Sequence, residues 1–461
     1  MIAHLPASKL LAMTAALLAL GTIIVTSDPA LRVLAIACAG IASFATRSLP
    51  DTVTALAIFL AFIAIDAAPQ ATIFSGFASS GFWLLVGGLI IGSAITVSGL
   101  GDQIARLIFA FTGTSYRRAV LFLSLGGLLL GACVPSAIPR VIVMMPITLA
   151  LAARMSFGVG TRQHTGLLMT AALMTLIPTY AFLTANLPTI VEVGIIEILY
   201  DIQFTYGAYF IQNAPINVLR FVVLLVLLLA WGGSPDIQPA VIPAAQADDE
   251  PAPLWTQAPR RLSWLLAIAI CLWATDTLHG IAPAWITLAV ALVLLVPATG
   301  VFTAQAMKSD IDLSIGFLIA AVFSIGAVMT DVGLSHRIAE IVVPMLRLTP
   351  DTDLWNLTVI TLFSSGLSHL TIAPATPIVL APLAAAMAQA ADWPIEAVAM
   401  AHNIGISTTI LPYQSPPLLI GIAIAAIPVG PLTRICVLSA FFSTVLGLPL
   451  TFAWWGAIGL I

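Results

Sequence analysis

Arg140 is the residue whose chemistry demands most of its surroundings. It lies in an apolar run from 118 to 153, just past the break Val134-Pro135-Ser136-Ala137-Ile138-Pro139. A guanidinium stays charged and presents a planar fork that suits carboxylate, sulfate or phosphate oxygens. A charge deep in an apolar segment costs several kcal/mol and is usually functional; the alternatives are an internal ion pair or a position near water. Short polar groups gather at three further proline-marked breaks. These are Ser368-His369-Leu370-Thr371-Ile372-Ala373-Pro374, Ile177-Pro178-Thr179 through Thr184-Ala185-Asn186-Leu187-Pro188, and Leu411-Pro412-Tyr413-Gln414-Ser415-Pro416-Pro417. Unwound backbone carbonyls can coordinate a cation, and the positive ends of half-helices can hold an anion. Ser136, Thr371, Thr376 and Ser415 are therefore candidate anion contacts. Ser136, Thr184, Asn186, Gln414 and Ser415 are candidate cation contacts. The bland reading of each is a cap on a helix break or glue between helices. His369 and His402 are candidates for proton coupling, set against plain hydrogen bonding between helices.

The elements that must position these residues follow from composition. Of 461 residues, 60% are hydrophobic and 8% charged, against roughly 25% charged in a soluble domain. Apolar runs of about 18 residues recur along the chain, each long enough to cross the hydrocarbon of a bilayer as a helix. The fold class is an all-α polytopic membrane protein. About eleven crossings are expected, near 10–26, 30–46, 51–67, 82–100, 165–190, 215–232, 262–278, 282–300, 314–332, 394–427 and 432–458. Segments 118–153 and 352–390 are too long for one crossing and are broken by proline, which removes a backbone donor. They read as two re-entrant hairpins whose tips need protein or a water-filled cavity around them.

A hydrophilic linker over 233–260 separates a first half, 1–232, from a second, 261–461. Ser98-Gly99-Leu100-Gly101-Asp102-Gln103-Ile104-Ala105-Arg106 is matched by Val332-Gly333-Leu334-Ser335-His336-Arg337-Ile338-Ala339-Glu340. Each copy follows an apolar span and precedes a hairpin. This is the pattern of an inverted repeat, with hairpin 118–153 on the inner side and 352–390 on the outer. With the N-terminus inside and the C-terminus outside, Lys9, Arg47, Arg106, Arg117, Arg118, Arg154, Arg162, Arg260, Arg261, Lys308 and Arg434 fall inside. Only Arg32, Arg220, Arg337 and Arg347 fall outside, as the positive-inside rule expects. The same threading sets Glu192, Glu197 and Asp201 outside, and Asp66, Asp276 and His279 at span ends.

Other classes fare poorly. The scattered basic residues form no nucleic-acid face. The four cysteines are far apart within apolar stretches, with no metal-ligand spacing. No nucleophile–base or zinc motif supports an enzyme. A cation/proton antiporter would need a carboxylate mid-span, and none is expected from this threading. No cofactor is expected, and a prokaryotic plasma membrane is the expected location.

The segments Phe74-Ser75-Gly76-Phe77-Ala78-Ser79, Ser98 to Ala105, Ser136 to Ile147, Leu183 to Pro188 and Leu411 to Pro417 occur in an order that resembles the divalent anion:sodium symporter family. The resemblance implies a homodimer, an elevator motion, and substrates such as succinate, malate, citrate, oxoglutarate or sulfate. It also implies sodium as coupling ion. The family carries Ser-Asn-Thr at each hairpin tip; the first such triplet falls here on Ser136, Ala137 and Ile138, which makes all three substrate-contact positions. The second tip has no such triplet, and Arg140 adds a charge that the family pattern lacks. Arg140 could stand in for one bound cation, which would favour exchange or proton coupling.

Overall fold

The structure, a computed structural model, describes residues 7–46, 48–113, 115–134, 136–233, 257–302, 314–371 and 373–461. Linker residues 234–256, with Arg47, Lys308, Pro135 and Ile372, lie outside the described residues, as do the side chains of Lys9 and Arg106. The described residues are helical throughout, with no strand among them. Among the described residues six helices are each long and apolar enough to span a bilayer, the two arms of the first hairpin among them, and shorter apolar helices and one bent helix pair accompany them. The surface agrees with a lipid solvent, since Leu18, Leu60, Val218, Trp264 and Leu292 are all exposed. A helix whose outer face meets hydrocarbon has no need of a polar stripe there.

The first half opens with α1 (Ala7–Val25), α2 (Pro29–Thr46) and α3 (Asp51–Ala64). After two single turns, α4 (Ser80–Ser98) ends at Gly99, whose φ of 76° is a left-handed conformation that glycine adopts without strain. α5 (Leu100–Thr112) then leads into the hairpin α6 (Tyr116–Cys133) and α7 (Ala137–Arg154). α8 (Arg162–Met174) stops short and a single turn at Pro178–Ala181 follows. α9 (Leu187–Tyr200) then completes the broken crossing, and α10 (Tyr206–Trp231) returns. α11 (Gln257–Ala274) and α12 (Pro283–Leu295) open the second half.

That half repeats the succession. α13 (Ser314–Asp331) is followed by Gly333 at φ 72° and α14 (Leu334–Leu346). Next come the hairpin α15 (Asp353–Leu370) and α16 (Pro377–Ala391), then the broken crossing α17 (Ile395–Ile406) and α18 (Pro416–Ala425), then α19 (Val429–Ala457). α10 orders the hairpins in space. Near its C-terminal end the Leu228 carbonyl accepts from Tyr116 Oη at the base of the first hairpin. Near its N-terminal end the Gln212 carbonyl accepts from Trp455, which packs on Trp393 at the base of the second. The hairpins therefore enter from opposite ends of α10.

Two corrections to the expected boundaries matter later. The crossing expected at 165–190 continues to Tyr200, because Pro188 in the first turn of α9 starts a helix rather than ending one. α10 begins at Tyr206, nine residues before the expected start, so Arg220 falls in mid-helix.

Candidate functional site

All four breaks meet. Ser136 donates its backbone N–H to the Ala185 carbonyl at 3.0 Å, and Ala373 donates its own to the Gln414 carbonyl at 3.1 Å. Each hairpin tip is thus tied to the residue just before the restarting half of a broken crossing. Between them lies a cavity of about 50 Å³, lined by Ser136, Tyr180, Asn186, Pro374 and Ser415 among others. Ser136, Asn186 and Ser415 are the N-cap residues of α7, α9 and α18, and none of them caps its own helix with its side chain. Three helix N-termini, each the positive end of its dipole, therefore border one cavity. Ser136 has a φ of 90°, unusual for a residue with a Cβ. Ala137 and Ile138 also line the cavity, but their side chains offer no polar group.

Arg140 stands behind the first tip and is 1% exposed. Its Nη2 donates to the Ala185 carbonyl at 2.8 Å and to Asn186 Oδ1 at 2.9 Å. Asn186 Nδ2 donates in turn to Thr179 Oγ1 at 3.2 Å, so the amide is held with its Oδ1 toward Arg140 rather than toward its own helix. Gly131 makes the room: a Cβ there would meet Thr179 and come within 3.0 Å of Arg140 Nη1. Arg140 Nε and Nη1 are buried without a hydrogen-bond partner, as is Thr184 Oγ1. Among the described residues no carboxylate pairs with Arg140. A buried guanidinium with unused donors attracts anions.

The oxygens expected for a cation are already engaged on this side. Ala185 O and Asn186 Oδ1 accept from a guanidinium, and a second positive charge on the same oxygens would be repelled. Gln414 Oε1 accepts the backbone N–H groups of Ile410 and Leu411 at 2.8 and 3.0 Å. At the second tip Thr371 Oγ1 and Thr376 Oγ1 lie 3.0 Å apart. His369 Nδ1 is 2.6 Å from the Ser365 carbonyl one turn back, and the His369 carbonyl accepts from Tyr413 Oη at 2.6 Å. With Nδ1 donating to Ser365, Gln414 Nε2 at 3.2 Å is a neighbour and not a donor to it.

Two features overturn the sequence expectations. Arg220, expected outside, is 1% exposed within α10. It donates to Ser407 Oγ at 2.7 Å, Thr408 Oγ1 at 2.8 Å and the Ile404 carbonyl at 3.0 Å. These groups end α17, where a cation complements the negative end of the helix dipole. Glu192, also expected outside, is fully buried in α9 beside His402 of α17, with Oε1 2.8 Å from His402 Nδ1. The chain therefore does hold a carboxylate in mid-helix. One signal for both was available: a charged residue inside an apolar helix that continues past it. Asp276 is buried too and accepts the N–H groups of Tyr206 and Gly207 at the start of α10. Of the cysteines, Cys38 and Cys271 lie on the exposed surface of their helices and Cys436 is buried.

Helices broken at mid-course, meeting at a cavity with a few polar groups inside an apolar bundle, define a membrane transporter of the secondary type. Residues 3–461 match the model of the sodium:sulfate symporter transmembrane region, and the chain belongs to that family. The family is one of transporters and not of enzymes, so the resemblance read from the sequence is shown. A curated protein of Cupriavidus necator, described as a membrane protein, is 26% identical over 351 residues, covering 74% of this chain and 68% of its own length. Two solved structures share the fold. The YdaH transporter of Alcanivorax borkumensis, whose topology is described as unusual, matches with a TM-score of 0.58 at 17% identity, over 98% of this chain and 99% of its own. Neisseria gonorrhoeae MtrF, described with a class of antimetabolite efflux pumps, matches with a TM-score of 0.58 at 15% identity, over 98% and 96%.

Proposed function

We propose that this transporter moves small anions of the dicarboxylate, tricarboxylate or sulfate class through the cavity between the hairpin tips. The observation that carries the reading is a buried Arg140 with two unpartnered nitrogens, set behind three helix N-termini that border one cavity. Ser136, Ser415, Thr371 and Thr376 contact the anion in this reading, together with the backbone at Ala137 and Ile138. Arg140 holds, as a fixed charge, the place that sodium would take on the first-hairpin side. In this reading the hairpins part to load the cavity. An elevator motion of a homodimer in a plasma membrane, with the N-terminus cytoplasmic and the C-terminus outside, completes the reading. In it the first hairpin opens inward and the second outward.

Uptake of labelled sulfate, succinate, malate, citrate and oxoglutarate into proteoliposomes tests this, with sodium, proton and internal-substrate gradients varied separately. We expect at least one of them to be carried without sodium, and to be carried with much weaker affinity by Arg140→Gln. No carriage of any anion under any gradient would overturn the reading. A cation/proton antiporter is the second reading, favoured by one observation: the buried carboxylate of Glu192.

A further inference from the structure

We propose that Glu192 and His402 form a single proton-binding site that drives the anion cycle, taking up one proton on one side of the membrane and releasing it on the other. The proposal rests on the anion reading of the neighbouring cavity. Both side chains are fully buried, one from each half of the chain. His402 Nδ1 faces Glu192 Oε1 at 2.8 Å, and Nε2 faces Met387 Sδ at 3.3 Å. Neither neighbour of the ring brings a hydrogen of its own when Glu192 is ionised, because a thioether sulfur only accepts. With a proton on each ring nitrogen, or with one on Nε2 and one on the carboxyl, both contacts are made and the pair is neutral. Losing one proton leaves Nε2 bare against sulfur and the pair with one negative charge. Glu192 Oε2 has no partner in either case. The pair thus has two states that differ by one proton and one charge.

Among the described residues no other charged side chain is hydrogen-bonded or ion-paired to these two. The helices packed on α9 contribute Asp331 at the exposed end of α13 and Glu396 near the start of α17, while α4 and the first turn of α16 contribute none. α9 itself adds Glu197, which accepts from the backbone N–H and Oγ of Ser80, and Tyr200, whose Oη donates to the Pro382 carbonyl. Against α17, α15 adds Asp353, which accepts from Trp393 Nε1, and His369 at the second tip, while the α16 segment 384–391 adds no charge. A purely structural tie between α9 and α17 already exists in neutral groups, since Thr189 Oγ1 donates to Asn403 Oδ1 at 3.0 Å.

The same neutral groups link the pair to the anion cavity. Asn403, next to His402, donates through Nδ2 to Tyr209 Oη at 2.9 Å, and Tyr209 Oη donates to the carbonyl of cavity-lining Tyr180 at 2.9 Å. α9 begins at the cavity and α17 ends at the second break, so a change in the pair acts on both. Protonation removes a negative charge near the cavity and so raises its affinity for an anion. By linkage the bound anion then favours the proton by the same factor, which makes the coupling a symport.

Three measurements decide this. In proteoliposomes the wild type accumulates its anion when the source side is acidic. Glu192→Gln, which mimics the loaded pair, loses that accumulation yet keeps counterflow between equal pools of anion, which needs no net proton movement. His402→Gln repeats the loss. Solid-state nitrogen-15 NMR of the histidine-labelled wild type in lipid, with His402→Gln to assign the signal, reads the ring directly. We expect Nε2 of His402 to change its protonation as the pH is varied, as the two states of the pair require. Accumulation that survives in Glu192→Gln overturns the proposal, and so does an Nε2 that never changes its protonation. Absence of counterflow in the wild type overturns the anion reading instead, and the NMR result still decides the proton site.

Discussion

The two hairpin tips make the same backbone contact with their crossings, yet they are finished with different chemistry. At the first, the Ser136 N–H meets the carbonyl before Asn186, and four residues on Arg140 clamps that carbonyl and the Asn186 side chain. At the second, the Ala373 N–H meets the carbonyl before Ser415, and the residue four positions on is Pro377, which can donate nothing. The second tip relies instead on Thr371, Thr376, His369 and Tyr413, which are neutral groups or groups engaged with backbone. The same succession of helices in the two halves gives both tips this shared frame. The difference shows that one half carries a permanent positive charge where the other offers hydroxyls, carbonyls and the His369 ring.

The comparison can be broken at its strongest point first. Arg140→Gln removes a charge-assisted clamp, and about 3 kcal/mol of lost interaction corresponds to roughly 100-fold weaker anion affinity. The concentration dependence of uptake measures it, and an unchanged affinity would show that the two tips are equivalent after all. Next, Gly131→Ala crowds Thr179 and Arg140, while Gly366 in the second hairpin has open space around its Cα. Thermal unfolding in detergent should show Gly131→Ala destabilised by about 2 kcal/mol. Gly366→Ala should be neutral or stabilised by under about 1 kcal/mol.

Thr376→Ala, which deletes one hydroxyl at the second tip, should cost about 1 kcal/mol, less than tenfold in anion affinity. An effect as large as that of Arg140→Gln would move the centre of binding to the second hairpin. The smallest effect is expected of the double change Ala137→Asn with Ile138→Thr, which rebuilds the triplet that the family resemblance implies. Sodium dependence of uptake should stay absent while Arg140 remains, because the nearby oxygens still face a guanidinium. Sodium dependence appearing in that variant would show that the missing triplet, and not the arginine, separates the tips.

Much of this was legible in the sequence, and for local reasons. Proline interrupts a helix wherever it stands, so both hairpins and both broken crossings could be placed from the chain alone. The repeated glycines at 99 and 333 marked the sharp turns. An arginine in an apolar run identified itself. Glu192 was misplaced because hydropathy alone cannot tell a polar residue beyond the end of a span from one inside a span that continues, and Arg220 because its helix starts nine residues earlier than expected. Pro188 could end one helix or begin the next, and only the packed chain chose the second.

What the sequence determined by itself is therefore the solvent and the breaks: a surface poor in charge must face lipid, and a backbone without its donor cannot continue a helix. What only the tertiary structure decided is partnership. Glu192 and His402 are 210 residues apart and come from different halves of the chain, and nothing in the spacing of either announces the other. Arg140 finds Asn186 by the same route. A buried charge must be satisfied by whatever the fold brings within about 3 Å, and that distance is a property of packing rather than of sequence order.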